Sequence, residues 1–89
     1  MEIYELIDTL MGYQQNSLTI NLSSLIETLK NIKKEHSGFF YVVEKNSINI
    51  IVSVSLYESY SYLFEYIYIK KNSKDIIIRS VNIIKDTLF

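Results

Sequence analysis

Between residues 47 and 69 the chain alternates with period two, and no other feature narrows its fold as much. Ile48, Ile50, Val52, Val54 and Leu56 alternate with Ser47, Asn49, Ser53 and Ser55, interrupted only by Ile51. Tyr60, Tyr62, Phe64, Tyr66 and Tyr68 then occupy successive even positions. Side chains two apart on a strand point the same way, so each run predicts a strand with a face to bury. Tyr57-Glu-Ser between them reads as a loop, and the pair as an antiparallel hairpin. The stretch is also the most apolar in the chain, yet Asn49, Glu58 and Glu65 interrupt it. A central acidic residue costs about 2.5–3.5 kcal/mol on membrane insertion, so no membrane span is expected.

The N-terminal half reads differently. Ile3, Leu6, Ile7, Leu10 and Met11 recur at helical spacing, with Glu2, Glu5 and Asp8 on the opposite side. Acidic residues suit the positive end of a helix, and Gly12 is a natural stop. After the polar connector Gln14-Gln-Asn-Ser17, Leu18-Thr-Ile-Asn-Leu22 alternates as a short strand would. Ser24 with Glu27 forms a capping box. The helix it predicts carries Leu25, Ile26, Leu29 and Ile32 on one face, gathers Lys30, Lys33 and Lys34 toward its end, and closes at Gly38.

Residues 39–44 read as a strand, Glu44-Lys-Asn-Ser47 as its turn, 60–70 as the second strand of the long hairpin, and Lys71-Asn-Ser-Lys74 as a further turn. The C-terminal segment carries two patterns. Asp75-Ile-Ile-Ile-Arg79 suits a strand, whereas Ile77, Val81, Ile84 and Leu88 are spaced for a helix. The expectation is a short strand near 75–79 followed by a helical tail. No linker or repeat interrupts the chain, so residues 1–89 are expected to form one small α+β domain. Its sheet would be an antiparallel meander of three to four strands, plus a short N-terminal strand. Two helices from the N-terminal half would pack on one face, and a third would follow at the C-terminus.

Composition restricts the chemistry. Without cysteine there is neither a disulfide framework nor a thiolate, and a single histidine excludes the usual Cys/His zinc site. That histidine, His36, stands at the expected end of a helix, where a polar or cationic cap is favourable, and it is not read as a general base. The ten acidic residues are scattered and show no calcium-loop spacing, so no metal is expected. Two isolated glycines supply neither a phosphate cradle nor a dinucleotide fingerprint, so no cofactor is expected and the chain is read as no enzyme.

A net charge of −1 argues against a strongly basic nucleic-acid binder. Charge is nonetheless uneven. Residues 1–29 hold four acids and no base, while 70–89 hold Lys70, Lys71, Lys74, Arg79 and Lys85 against Asp75 and Asp86. Lysines at turns and strand edges oppose aggregation, and as a patch they would steer an acidic partner. The start, Met1-Glu-Ile-Tyr-Glu, has no basic region before an apolar stretch, so no signal peptide is expected and the cytoplasm is the expected compartment. Fifteen Ile, eight Lys, eight Tyr and seven Asn, against one Arg and no Ala or Pro, imply an AT-rich gene. For a viral chain the compartment would be the host cytoplasm.

The aromatic strand poses the functional question. With Tyr60, Tyr62, Phe64, Tyr66 and Tyr68 inward, Leu63, Ile67 and Ile69 still need cover; with the aliphatics inward, Glu65 enters the core, which is costly without a partner. Helices cover one face of a sheet, and the other is left exposed or covered by a partner. The expectation is a non-catalytic protein-binding module that occludes or sequesters a larger protein of unknown identity. An inhibitor of a host defence system, such as a phage or viral anti-CRISPR, is one instance. Its candidate contact residues are Tyr57, Tyr60, Tyr62, Tyr66 and Tyr68 with Lys70 and Lys71, since Tyr is enriched at binding hot spots.

Two alternatives stand beside it: a single-stranded nucleic-acid binder using the same strand, and a structural homodimer whose exposed sheet faces pair. A stacking platform needs cations among its aromatics, and none lies between Lys45 and Lys70. Leu18-Thr-Ile-Asn-Leu22 and Gly38-Phe-Phe-Tyr-Val42 resemble in outline the two strand signatures of the RNA-recognition motif. Ser37 stands where that family has a basic residue, Phe40 where it has a small one and Thr19 where it has an aromatic. No strand is expected between the helix and the second signature either, so the likeness is set aside. Nucleic acid is not the expected partner.

Overall fold

The computed structural model describes residues 2–87. In chain order its elements are α1 (Ile3–Gln15), β1 (Thr19–Asn21), α2 (Leu22–Glu35), β2 (Phe39–Val43), β3 (Ser47–Ser53), β4 (Glu58–Tyr68) and β5 (Asp75–Thr87). All five strands join one antiparallel sheet in the order β1-β5-β4-β3-β2. The fold is α+β, with β2 to β5 as a meander and β1 added beside β5. Because β1 and β2 lie at opposite edges, α2 must cross the sheet between them. Four strand spacings span roughly 19 Å and its 14 residues rise about 21 Å, so one helix bridges the width.

Leu6, Ile7 and Leu10 of α1 and Leu25, Leu29 and Ile32 of α2 are buried at the expected helical spacing, and Leu22, expected to end the short strand, is instead the buried first residue of α2. They pack on Phe39, Ile48, Ile50, Val52, Tyr62, Phe64, Tyr66, Ile76 and Ile78 of the sheet, forming one core. No buried polar or charged residue interrupts it among the described residues. The opposite face of the sheet carries no helix.

Local signals differ from the expectation at three helix ends. Helix α1 runs through Gly12 to Gln15, the Gly12 carbonyl accepting the Asn16 N–H at 3.1 Å as a helical residue does, and the reversal comes at Asn16 and Ser17, the latter at φ 53°. Helix α2 starts at Leu22 rather than after Ser24: the Asn21 side chain accepts the Ser24 N–H at 3.0 Å and is the true cap. His36 does lie at the C-cap of α2, its N–H donating to the Ile32 carbonyl. Gly38 begins the β2 ladder, where a Cβ would stand 3.0 Å from the Ser53 carbonyl oxygen.

The largest correction concerns residues 75–87. They form one continuous strand of 13 residues and not a strand followed by a helix, so the meander has four strands, β2 to β5, with β1 added, and the expected third helix is replaced by the second half of β5. Pairing with β4 slips at Glu65/Tyr66: Tyr66 opposes Ile78 and Glu65 opposes Ser80, leaving Arg79 as the extra residue of a bulge. The bulge changes which parity faces the helices. Ile76 and Ile78 point inward before it, while Val81, Ile83 and Lys85 share that face after it, opposite Phe64, Tyr62 and Tyr60. Leu88, the last residue of the expected helical pattern, lies outside the described residues.

Candidate functional site

Strand β4 settles which face is covered. Its even residues point at the helices, so Tyr62 (9% exposed), Phe64 and Tyr66 (2%) are core. Glu65 is thereby placed on the helix-free face, exposed, where it accepts a hydrogen bond from Ser80 Oγ at 3.2 Å. This is the arrangement that avoids burying a lone carboxylate. The Tyr66 hydroxyl donates to the Glu44 carbonyl at 2.6 Å. Burial, with a smaller contribution from the Tyr68 hydroxyl, pushes the Tyr66 phenol up to about 12. Burial likewise raises that of Tyr62, with Tyr4, Tyr60 and Asp8 adding to it.

The remaining residues of the expected site are scattered. Tyr60 is half-buried on the helix side beside Lys85, whose Nζ lies 5.9 Å from the ring centroid and 3.4 Å from Glu58 Oε1. The hydrogen bond and charge of Glu58 raise the lysine's pKa. Tyr57 is exposed in the β3–β4 loop, and Tyr68 is exposed at the far end of β4, on the helix side. Eleven residues of strand separate these two by about 36 Å. Tyr68 adjoins Lys70, Lys71, Asn72 and Lys74 in the β4–β5 turn, around an open recess of about 530 Å³. The seven residues expected to act together therefore divide into two in the core, one half-buried beside Lys85 and two exposed groups at opposite ends of the hairpin.

The surface that the fold does assemble is the helix-free face, and sequence reasoning named none of its strand residues as contacts. Register places its side chains in rows across the strands. One row runs Phe40, Ile51, Ser61 and Ile84; the next runs Val42, Asn49, Leu63 and Asn82. A polar row of Ser47, Glu65 and Ser80 follows, and then Ile67 with Ile77. Phe40, Val42 and Ile84 remain 46–48% exposed. The polar groups among the first two rows are partly satisfied within the face, Ser61 Oγ donating to Asn49 Oδ1 at 2.7 Å. Lys33 Nζ caps the Phe40 ring at 4.3 Å from its centroid. Leu56 and Tyr57 stand in the loop at the same end of the sheet, exposed. The signal for this face was in the sequence: the odd residues of β4 are nearly as apolar as the even ones.

Elsewhere the chemistry is sparse. No group of three or more His, Cys, Asp or Glu lies together among the described residues. An open groove of about 260 Å³ between α1, β1 and α2 is lined by Leu10, Tyr13, Ile20, Leu25 and polar Asn and Thr side chains, with Tyr13 its one titratable group. No helix among the described residues is long and apolar enough to cross a membrane. No protein-family model matches the chain, nor does any curated protein or solved structure.

Proposed function

We propose that this chain is a non-catalytic protein-binding module that occludes or sequesters a larger protein, and that it does so through the helix-free face of its sheet. The observation that carries the reading is the cluster of Phe40, Val42, Ile51, Leu63 and Ile84 on adjacent rows of that face. Contiguous apolar patches of this kind mark interaction sites on folded proteins. An apolar centre with a polar rim is the anatomy of an interface, and here Lys33, Glu65 and Asp86 supply part of the rim. The hydrogen bond between Ser61 and Asn49 lets these two groups lose water without being left unpaired. A viral or mobile-element inhibitor of host defence fits the size and the codon usage. Tyr57 joins this surface from the β3–β4 loop; Tyr68, Lys70 and Lys71, at the opposite end, belong at most to its margin.

Affinity capture from the native host, read by mass spectrometry, tests this when the wild type is compared with Ile84→Lys. Ile84 is half exposed on β5, so the change should leave the fold intact and shift stability by no more than about 0.5 kcal/mol. The expected result is a protein enriched by the wild type and absent with the variant. Identical captures from both would refute the face as the contact surface.

A further inference from the structure

Strand β2 is an edge strand, and its sequence, Phe39-Phe-Tyr-Val-Val43, contains no charge, no proline and no bulge. Folded proteins usually protect edges with one of these devices, because a free edge is a template for another strand. The direction of its free groups follows from the ladder. The Ser53 N–H donates to the Gly38 carbonyl and the Glu44 N–H to the Ser47 carbonyl. Bonded and non-bonded pairs alternate in an antiparallel ladder, so Phe40 and Val42 bond to β3. Phe39, Tyr41 and Val43 therefore turn their backbone groups outward. The Phe39 N–H is engaged by the His36 carbonyl at 3.4 Å; the N–H and C=O of Tyr41 and Val43 and the carbonyl of Phe39 face outward with no strand to receive them.

We infer that this edge pairs with β2 of a second copy, antiparallel about a two-fold axis at Tyr41, to make a continuous ten-stranded sheet. The inference does not require the hetero-partner proposed above: its contacts are the backbone groups of β2, and it shares with that surface only the border residues Phe40 and Val42. Three observations favour a second copy. First, a two-fold at Tyr41 sets Phe39 against Val43 of the other copy and Tyr41 against Tyr41, so every residue with outward groups meets another such residue. Second, the same register sets Phe40 against Val42 on the helix-free face, covering two of its most exposed apolar side chains and joining the two faces. Third, charge is complementary across the axis: Lys33 sits over Phe40, and the exposed Glu44 of the other copy falls diagonal to Phe40, within reach of that ammonium. The pair occurs twice by symmetry. At the opposite edge β1 is only three residues long, and β5 beyond its pairing with β1 is defended by Arg79, Lys85, Asp86 and the bulge.

Edge pairing of five-residue strands buries a small area, so the dimer is weak and concentration-dependent. Sedimentation from ~5 to ~500 µM, the range such an interface calls for, should show the mass rising from 10.5 kDa toward twice that value. Tyr41→Pro removes an outward N–H without touching a β3 bond, which edge strands tolerate. It should remain at 10.5 kDa throughout, with an unchanged circular dichroism spectrum. Val42→Lys, which charges the edge on the exposed face, gives the same readout should the proline variant fail to fold. Hydrogen exchange should show protection of the Tyr41 and Val43 amides growing with concentration. A wild type that stays monomeric at the highest concentration, a dimer that survives both substitutions, or concentration-dependent protection at Val81, Ile83 and Lys85 instead would each overturn the inference. Ile84→Lys should still dimerise and Tyr41→Pro should still capture the hetero-partner, so the two readings fail separately.

Discussion

Replacing Tyr66 with phenylalanine tests the orientation of β4, on which the assignment of every surface depends. The substitution keeps the ring and removes only the hydroxyl that donates to the Glu44 carbonyl at 2.6 Å. At neutral pH the phenol is protonated in both folded and unfolded chains, so the difference is the hydrogen bond alone. Glu44 is exposed and its carbonyl can take water in exchange, which puts the loss at about 1 kcal/mol. For a chain of this size that lowers Tm by about 4–8 °C.

Alkaline pH should reverse the order of the two proteins. The phenol ionises at about 12 in the folded chain and at 10.0 when unfolded. Between those values the unfolded chain binds fewer protons than the folded one, so stability falls as pH rises, by at most about 1.36 kcal/mol per pH unit. Below pH 10 the contribution vanishes. Integrated to pH 12 it reaches about 2 kcal/mol, a loss the phenylalanine variant does not suffer. Titrations remote from position 66 are common to both chains and cancel in the comparison. Urea unfolding from pH 7 to 11.5 should therefore show the wild type ahead by about 1 kcal/mol at neutrality and the curves crossing near pH 11. A gap that stays constant across the range would mean that Tyr66 is hydrated in the native state, and the aromatic face of β4 would then not be the core.

Two further substitutions probe the ends of α2. Asn21→Ala removes the side chain that accepts the Ser24 N–H and should cost about 1 kcal/mol in chemical unfolding, whereas Ser24→Ala, at the cap expected from sequence, should change stability by less than about 0.5 kcal/mol. Gly38→Ala places a Cβ 3.0 Å from the Ser53 carbonyl oxygen; since that oxygen belongs to the backbone of β3, the strands must part, at a cost of about 1–3 kcal/mol measurable by thermal unfolding.

The hairpin, the two amphipathic helices and their shared face were legible because each rests on a periodicity that burial enforces. Leu25, Leu29 and Ile32 in α2 and Tyr62, Phe64 and Tyr66 in β4 follow that rule, and all are buried. The caps were less legible because two residues competed for each. Ser24 and Glu27 spell a capping box, yet β1 ends at Asn21, and the helix begins where the strand pairing with β5 stops. That boundary is a tertiary fact. The same holds for the proposed contact surface: Tyr62 and Tyr66 attract notice as tyrosines, but which face of β4 they occupy depends on where two separate helices land.

The helical look of residues 75–87 in sequence and the exposed apolar face are physically linked. A strand with a single buried face shows plain alternation, and β5 lacks it for two reasons. The bulge at Arg79 moves the inward set from even to odd residues, so that Ile78 and Val81, three apart, both face the helices. Apolar residues also occupy the outward positions, Ile77 opposite Ile67 and Ile84 opposite Ser61. Sampling both faces at once, the series Ile77, Val81, Ile84 mimics a helical stripe. A strand that kept its outer face polar would have been recognised at once and would have left nothing for a partner to bind. The ambiguity of β5 in sequence is therefore a direct sign of its second apolar face. It supports assigning binding to the outer side of the sheet rather than to the tyrosines beneath the helices.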